Sequence, residues 1–170
     1  MFRHPDIMLR LYKSMVRPHL EYCTAAWCPH YCKDKELIER AQRRFTRMIP
    51  DLKDLPYEQR LAKTKLWSLE NRHTRADLIE VYKIFHGLST VRFSTFFELI
   101  HNERTSGHSL KLHKKRVMMD LRQHFFSDRI VNMWNTLSED IVLASSLNNF
   151  KGKLQILHND GSSTGFLKSA

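Results

Sequence analysis

The sequence predicts a mainly α protein: a helical bundle followed by a small, mostly helical C-terminal region with at most one β-hairpin. Three observations carry that expectation. Apolar residues recur three and four positions apart through most of the chain. Glycine and proline are scarce, five of each in 170 residues, and Pro18, Pro29, Pro50 and Gly87 sit where those periodic runs stop. The alternating pattern of a half-buried strand is nearly absent.

The first helix is expected over Asp6 to Val16, where Met8, Leu11, Tyr12 and Met15 share a face. Pro5 stands at a first-turn position, where its missing N–H costs nothing. Pro18 lacks an N–H and crowds the carbonyl four residues back, so the helix should kink or restart there. Leu20, Cys23 and Trp27 continue the apolar stripe until Pro29 stops it. Asp34 is suited to cap the next helix, whose apolar face is Leu37, Ile38, Ala41, Phe45 and Met48. Pro50 ends that helix, and a loop over Asp51 to Leu55 leads to a shorter one over Tyr57 to Lys65. Ser68 then caps a long helix reaching His86, with Gly87 as its stop. Leu78, Val81, Tyr82 and Phe85 form its inward stripe.

Phe93 to Ile100 reads as a short helical turn, and His101 to Gly107 as a loop. His108 to Arg116 is a basic extended segment that would pair in a hairpin with Val117 to Leu121. A further helix begins at Phe125 or Ser127 and turns Ile130, Val131, Trp134 and Leu137 inward. Ser146 caps a last helix through Leu157, and Asn159 to Ala170 is a Gly/Ser-rich flexible tail. Trp27, Trp67 and Trp134 all fall on apolar stripes and are expected in the core. The organisation expected is helices over residues 1–50, a helical extension over 51–100, a basic segment with C-terminal helices over 101–158, and the tail over 159–170.

Charge is the strongest compositional signal. Lys and Arg number 28 against 18 Asp and Glu, a formal net charge of +10. Residues 1–50 carry ten cations against five acids and residues 101–130 seven against three, whereas residues 51–100 and 131–170 are nearly balanced. Charge concentrated in this way suits a polyanionic partner. His101, His108, His113 and His124 lie in the second basic segment and would add charge on mild acidification. Apolar content of 42% argues against disorder. No apolar run is long enough to span a bilayer, and no signal peptide is evident at the N-terminus. The expectation is a protein of the nucleus or cytoplasm with no membrane partner.

The best functional feature is Arg40, Arg43, Arg44 and Arg47, four guanidinium groups on one broad helix face, suited to phosphate oxygens. Arg10, Lys13 and Arg17 form a weaker stripe. Lys111, Lys114, Lys115 and Arg116 form a second patch, with Phe125 and Phe126 nearby as base-stacking or core residues. Each cationic group also has a plainer reading as a solvated surface. Cys23, Cys28 and Cys32, with His30, miss the paired spacing that zinc sites use, so no metal site is expected. Phosphate-binding glycine loops, nucleophile elbows and clustered carboxylates are all lacking, so the residues point to no catalytic site.

Longer strings carry a family resemblance. Leu11-Tyr12-Lys13-Ser14-Met15-Val16-Arg17-Pro18-His19-Leu20-Glu21-Tyr22 resembles a segment just past the polymerase palm of non-LTR (LINE) retrotransposon reverse transcriptases of the jockey and chicken-repeat type. The run Leu37-Ile38-Glu39-Arg40-Ala41-Gln42-Arg43-Arg44-Phe45-Thr46-Arg47-Met48-Ile49 follows at the matching place. Tyr57-Glu58-Gln59-Arg60-Leu61, Arg75 to Ile84, and Phe125 to Leu137 followed by Phe150-Lys151 keep the family order. The resemblance implies the thumb and following region of an RNA-directed DNA polymerase, hence a thumb-like bundle. Endonuclease, fingers and palm would lie before Met1. The catalytic Asp-Asp box and its magnesium belong to that palm, so no cofactor and no catalysis are expected in this chain. What carries over is a grip on a template–primer duplex of RNA or DNA. The alternatives are a helical module that docks to the absent palm or another protein chain, and a retroelement remnant with no selected function.

Overall fold

A computed structural model describes residues 4–100 and 107–159. The expected loop over 101–106 and the tail over 160–170 lie outside the described residues. The protein is mainly helical, and the described residues contain no strand beyond one isolated antiparallel bridge, Leu99 to Leu112. The chain divides into two compact units, residues 1–73 and residues 74–170.

In the first unit, α1 (Pro5–Leu11) runs into a π-helical turn (Tyr12–Val16) and then α2 (Arg17–Leu20). The wide turn lies just ahead of Pro18, which has no N–H to offer the carbonyl four residues back. The Arg17 N–H reaches five residues back to the Tyr12 carbonyl instead. The expected break therefore takes the form of a widened register. Tyr12 is buried, but Leu11 and Met15 are exposed. The helix ends at Leu20, so Cys23 and Trp27 do not continue its stripe. Cys23 adopts a left-handed backbone (φ 51°), and Trp27 is 43% exposed, with its indole N–H donating to the Tyr22 carbonyl at 2.7 Å. Trp27 is thus not a core residue, because the turn that closes at Cys23 carries it outward.

The next helix is α3 (Cys32–Arg47). It opens two residues before Asp34, with Tyr31 at the N-cap and no side-chain cap. Asp34 instead adds a negative charge to the first turn, where the helix dipole favours one. Its buried residues are Glu39, Gln42 and Thr46, whereas Leu37, Ala41 and Met48 are exposed and Ile38 and Phe45 only half-buried. The expected apolar face is therefore not the buried face. Gln42 explains the inversion. Its Oε1 accepts the Tyr12 hydroxyl at 2.6 Å, and its Nε2 donates to the Tyr57 hydroxyl oxygen at 3.0 Å and the Trp67 carbonyl at 2.9 Å. Glu39 accepts the Tyr57 hydroxyl on one oxygen and the Leu69 N–H, at 2.8 Å, on the other. These bonds offset the cost of burying polar groups. They also join α3 to the first helix, to α4 (Tyr57–Thr64) and to the start of α5 (Leu69–Phe85).

A short 3-10 turn (Pro50–Leu52) links α3 to α4 and buries Ile49 and Leu52. Lys65 terminates α4 in the left-handed region, and Leu66 N–H bonds back to the Leu61 carbonyl at 3.0 Å. Ser68 caps α5 as the sequence predicts, its Oγ accepting the Asn71 N–H at 3.3 Å.

In the second unit, α5 ends as expected at Gly87 (φ 66°), where Leu88 N–H bonds to the Lys83 carbonyl and Gly87 N–H to the Ile84 carbonyl. That pair of bonds needs a left-handed residue, which glycine adopts without steric cost. Leu78, Val81 and Tyr82 are buried, and Phe85 is partly so. The Tyr82 ring stacks on Phe150 at 4.4 Å, and its hydroxyl donates to the Ala144 carbonyl at 2.6 Å. After α6 (Phe93–Phe96) and α7 (Asp120–Gln123), the short helices α8 (Phe126–Arg129) and α9 (Val131–Asn135) bury Phe126, Ile130, Val131 and Trp134. The loop after α9 buries Leu137. Then come α10 (Glu139–Val142) and α11 (Leu147–Asn159), the latter capped by Ser146 Oγ on the Asn149 N–H at 3.2 Å. Buried Asp77 holds Arg129 through two hydrogen bonds of 2.9 and 3.0 Å, tying α5 to α8.

The basic extended segment pairs upstream, not with Val117 to Leu121. Ile100 N–H bonds to the Lys111 carbonyl and His113 N–H to the Glu98 carbonyl. Met118 and Met119 are exposed and lead directly into α7, so the expected second strand has no face to bury.

Replacing Gln42 by Leu keeps side-chain size but orphans the Tyr12 hydroxyl, the Tyr57 hydroxyl oxygen and the Trp67 carbonyl. The expected cost is about 2–4 kcal/mol, read from urea unfolding. A loss below about 0.5 kcal/mol contradicts the role assigned to this residue.

Candidate nucleic-acid interface

With its polar stripe committed inward, α3 turns its arginines out. Arg40, Arg43, Arg44 and Arg47 are all exposed. At about 100° per residue they fall within an arc of about 100° and span about 10 Å along the axis, enough for about three phosphates of one strand. None of the four makes an ion pair among the described residues. Glu39, an acid that the sequence places beside them, points into the bonds described above and leaves Glu36 as the exposed acid on this face.

Two residues that the sequence did not single out position this face. Arg60 on α4 is 4% exposed, and its Nη1 donates to the Arg43 carbonyl at 3.0 Å and to Thr46 Oγ1 at 3.1 Å. Its charge thus sits at the C-terminal turn of α3, where the dipole is negative. Two guanidinium groups approach the Tyr57 ring, Arg43 at 5.0 Å and Arg60 at 5.4 Å from its centroid. Cation–π contact holds Arg43 on this face without an acid. The Tyr57-x-x-Arg60 spacing on one helix was the available signal.

The other predicted cations are less uniform. Arg10 and Lys13 are exposed on the first helix, without ion pairs among the described residues. Arg17 is half-buried and 3.5 Å from Glu21, whose carboxylate also holds Arg72. In the second unit, Lys114 and Arg116 are exposed and Lys111 is half-buried. Lys115 donates to Glu98 at 2.6 Å, and that bond, with the lysine's charge, holds the Glu98 carboxyl below its usual range.

The extended segment bearing these lysines is strapped down by alternate residues. His108 Nε2 donates to the Trp134 carbonyl at 3.0 Å, and the Trp134 indole N–H donates to the Leu110 carbonyl at 2.8 Å. Asn135 brackets Leu112, accepting its N–H at 2.8 Å and donating to its carbonyl at 2.9 Å. Burial lowers the His108 pKa from its ordinary value, so this residue resists the acid-induced charging that the sequence suggests. His113 and His124 remain near Glu98 and Asp120, and His101 lies outside the described residues. Phe126 is in the core, whereas Phe125 is 53% exposed with the Arg122 guanidinium 5.2 Å from its ring centroid.

Compared with protein-family models, curated proteins and solved structures, the chain matches none. Among the described residues, no helix is long and apolar enough to cross a membrane.

The tyrosines that seat α3 give the arginine face a pH limit. Burial pushes the Tyr12 and Tyr57 hydroxyls well above the ordinary tyrosine range. The nearby Glu39 charge adds for Tyr12, and the hydrogen bond to Glu39 adds for Tyr57. The folded state therefore keeps these protons after the unfolded chain begins to lose them. Stability is fully present below pH about 10 and falls above it by about 1 kcal/mol per pH unit per tyrosine. Replacing Tyr12 by Phe should reduce the slope measured in urea titrations between about pH 10 and 12. An identical slope contradicts the assignment.

Proposed function

We propose that this chain is a non-catalytic C-terminal fragment of a non-LTR retrotransposon reverse transcriptase that grips template–primer nucleic acid through basic helix faces. The observation that carries this reading is the arginine arc of α3: four exposed guanidinium groups that make no ion pair among the described residues. Guanidinium forks match phosphate oxygens, and phosphate contacts carry no base identity. The grip is therefore sequence-tolerant, with Arg40, Arg43, Arg44 and Arg47 as its centre. Arg10 and Lys13 in the same unit, and Lys111, Lys114 and Arg116 in the second, supply further cations. Arg17 and Lys115 are already partly neutralised by Glu21 and Glu98. Magnesium and the catalytic carboxylates would belong to the polymerase palm, and this chain contributes no step of the chemistry.

The test is the salt dependence of binding to an RNA–DNA hybrid duplex, read by fluorescence anisotropy. Each neutralised phosphate contributes about −0.9 to the slope of log affinity against log salt. Replacing the four α3 arginines by Gln should flatten the slope by about three units, the share of about three phosphates at about 0.9 each. An unchanged slope removes these residues from the interface.

A second reading rests on a different observation. Ile7, Leu11, Met15, Val16, Leu37 and Met48 of the first unit are all more than 40% exposed. Exposed apolar residues, where they join into one patch, mark protein-interaction surfaces. This reading makes the chain a helical docking module, for the polymerase palm or another protein. Sedimentation separates the two: micromolar self-association with no retention of the duplex supports docking, and a monomer that holds the duplex supports the grip.

A further inference from the structure

Away from the arginine face, the segment between α2 and α3 brings a thiol against an imidazole. Cys28 Sγ lies 3.9 Å from His73 Nδ1, although 45 residues separate them. His73 is 4% exposed, and its other nitrogen, Nε2, lies 2.9 Å from the Leu20 carbonyl oxygen. A carbonyl only accepts, so Nε2 carries the proton of the neutral ring. The lone pair is then on Nδ1, the atom that faces the thiol. The Trp27 ring meets the imidazole edge-on, 6.3 Å between centroids, and the Cys28 sulfur also lies 4.0 Å from the Pro29 carbonyl oxygen. Cys28 is half-buried, whereas Cys23 and Cys32 are exposed.

A nucleophile beside a base, with the base oriented by a third group, is the arrangement that activates a thiol. The reactive species is the thiolate, and a proton acceptor in contact with the sulfur raises its share at neutral pH. We propose that Cys28 is a nucleophilic thiol with His73 as its proton acceptor, and that it undergoes exchange with small disulfides. His73 Nδ1 takes the thiol proton while Nε2–H stays on the Leu20 carbonyl. The Cys28 thiolate attacks one sulfur of the disulfide, a new S–S bond forms as the old one breaks, and the departing thiolate takes the proton from Nδ1. One disulfide is consumed and one is formed, so no further oxidant is needed. Half-burial beside Trp27 limits the partner to small molecules. This inference is independent of the nucleic-acid reading.

The probe is oxidised glutathione, with mixed-disulfide formation at each cysteine of the full chain followed by peptide mass spectrometry. At pH 7, Cys28 should react about tenfold faster than Cys23 and Cys32 despite its lower exposure, with a rate inflection below the ordinary thiol value of about 8.5. His73→Gln keeps a donor for the Leu20 carbonyl but removes the base, and should bring Cys28 down to the rate of the exposed cysteines or below. A Cys28 that reacts no faster than its neighbours, or whose rate survives His73→Gln, overturns the proposal. Should that variant fail to fold, the wild-type pH profile decides, and an inflection at or above about 8.5 overturns it.

Discussion

The first unit depends on a buried amide. Gln42 meets a hydroxyl from the first helix, a hydroxyl from α4 and a backbone carbonyl just before α5, while Glu39 beside it receives the α5 N-terminus. Three connections converge on one turn of α3. Such a network rigidifies because each member is satisfied only in one arrangement. It also determines what α3 shows outward. With Glu39, Gln42 and Thr46 inside, the arginines and Leu37, Ala41 and Met48 are left outside, and Ile38 and Phe45 are only half-buried.

That inversion explains where sequence reasoning succeeded and where it failed. α3 carries two stripes of helical period, one apolar and one polar, and burial rules choose the apolar one. The partners that reverse the choice, Tyr12 and Tyr57, lie 30 and 15 residues away from Gln42. Their hydroxyls resemble ordinary core edges until the fold brings them together. The arginine face was nonetheless legible, because four arginines spaced three and four apart share a side whichever stripe is buried. Local signals read well: Ser68, Gly87 and Ser146 bound their helices as their chemistry suggests. The partner of the basic segment is hidden in the sequence because residues 98–100 follow three phenylalanines that resemble a helical turn. Trp27 sits on the apolar stripe only if one helix continues through it, and the chain leaves its helix at Leu20.

The two basic regions are held by different physics. On α3 the cations ride on a helix whose far side is locked by hydrogen bonds, so the backbone presents them at fixed intervals. In the second unit the lysines lie on an extended segment pinned by His108, Leu110 and Leu112, and Glu98 competes for Lys115. A phosphate displacing Glu98 would break an existing pair, whereas a phosphate meeting Arg40, Arg44 or Arg47 breaks none among the described residues. On the proposed reading, α3 offers four cations that a phosphate meets without displacing an acid among the described residues, whereas the second region offers Lys115 only at the cost of its Glu98 pair.

The central claim, that the outward arginines of α3 engage phosphate directly, is tested most directly by NMR of the arginine Nε–H groups during titration with an RNA–DNA hybrid duplex. Arg40, Arg44 and Arg47 should shift and gain protection from solvent exchange, while buried Arg60 stays unmoved. Shifts confined to other arginines, or none at saturating duplex, would contradict it.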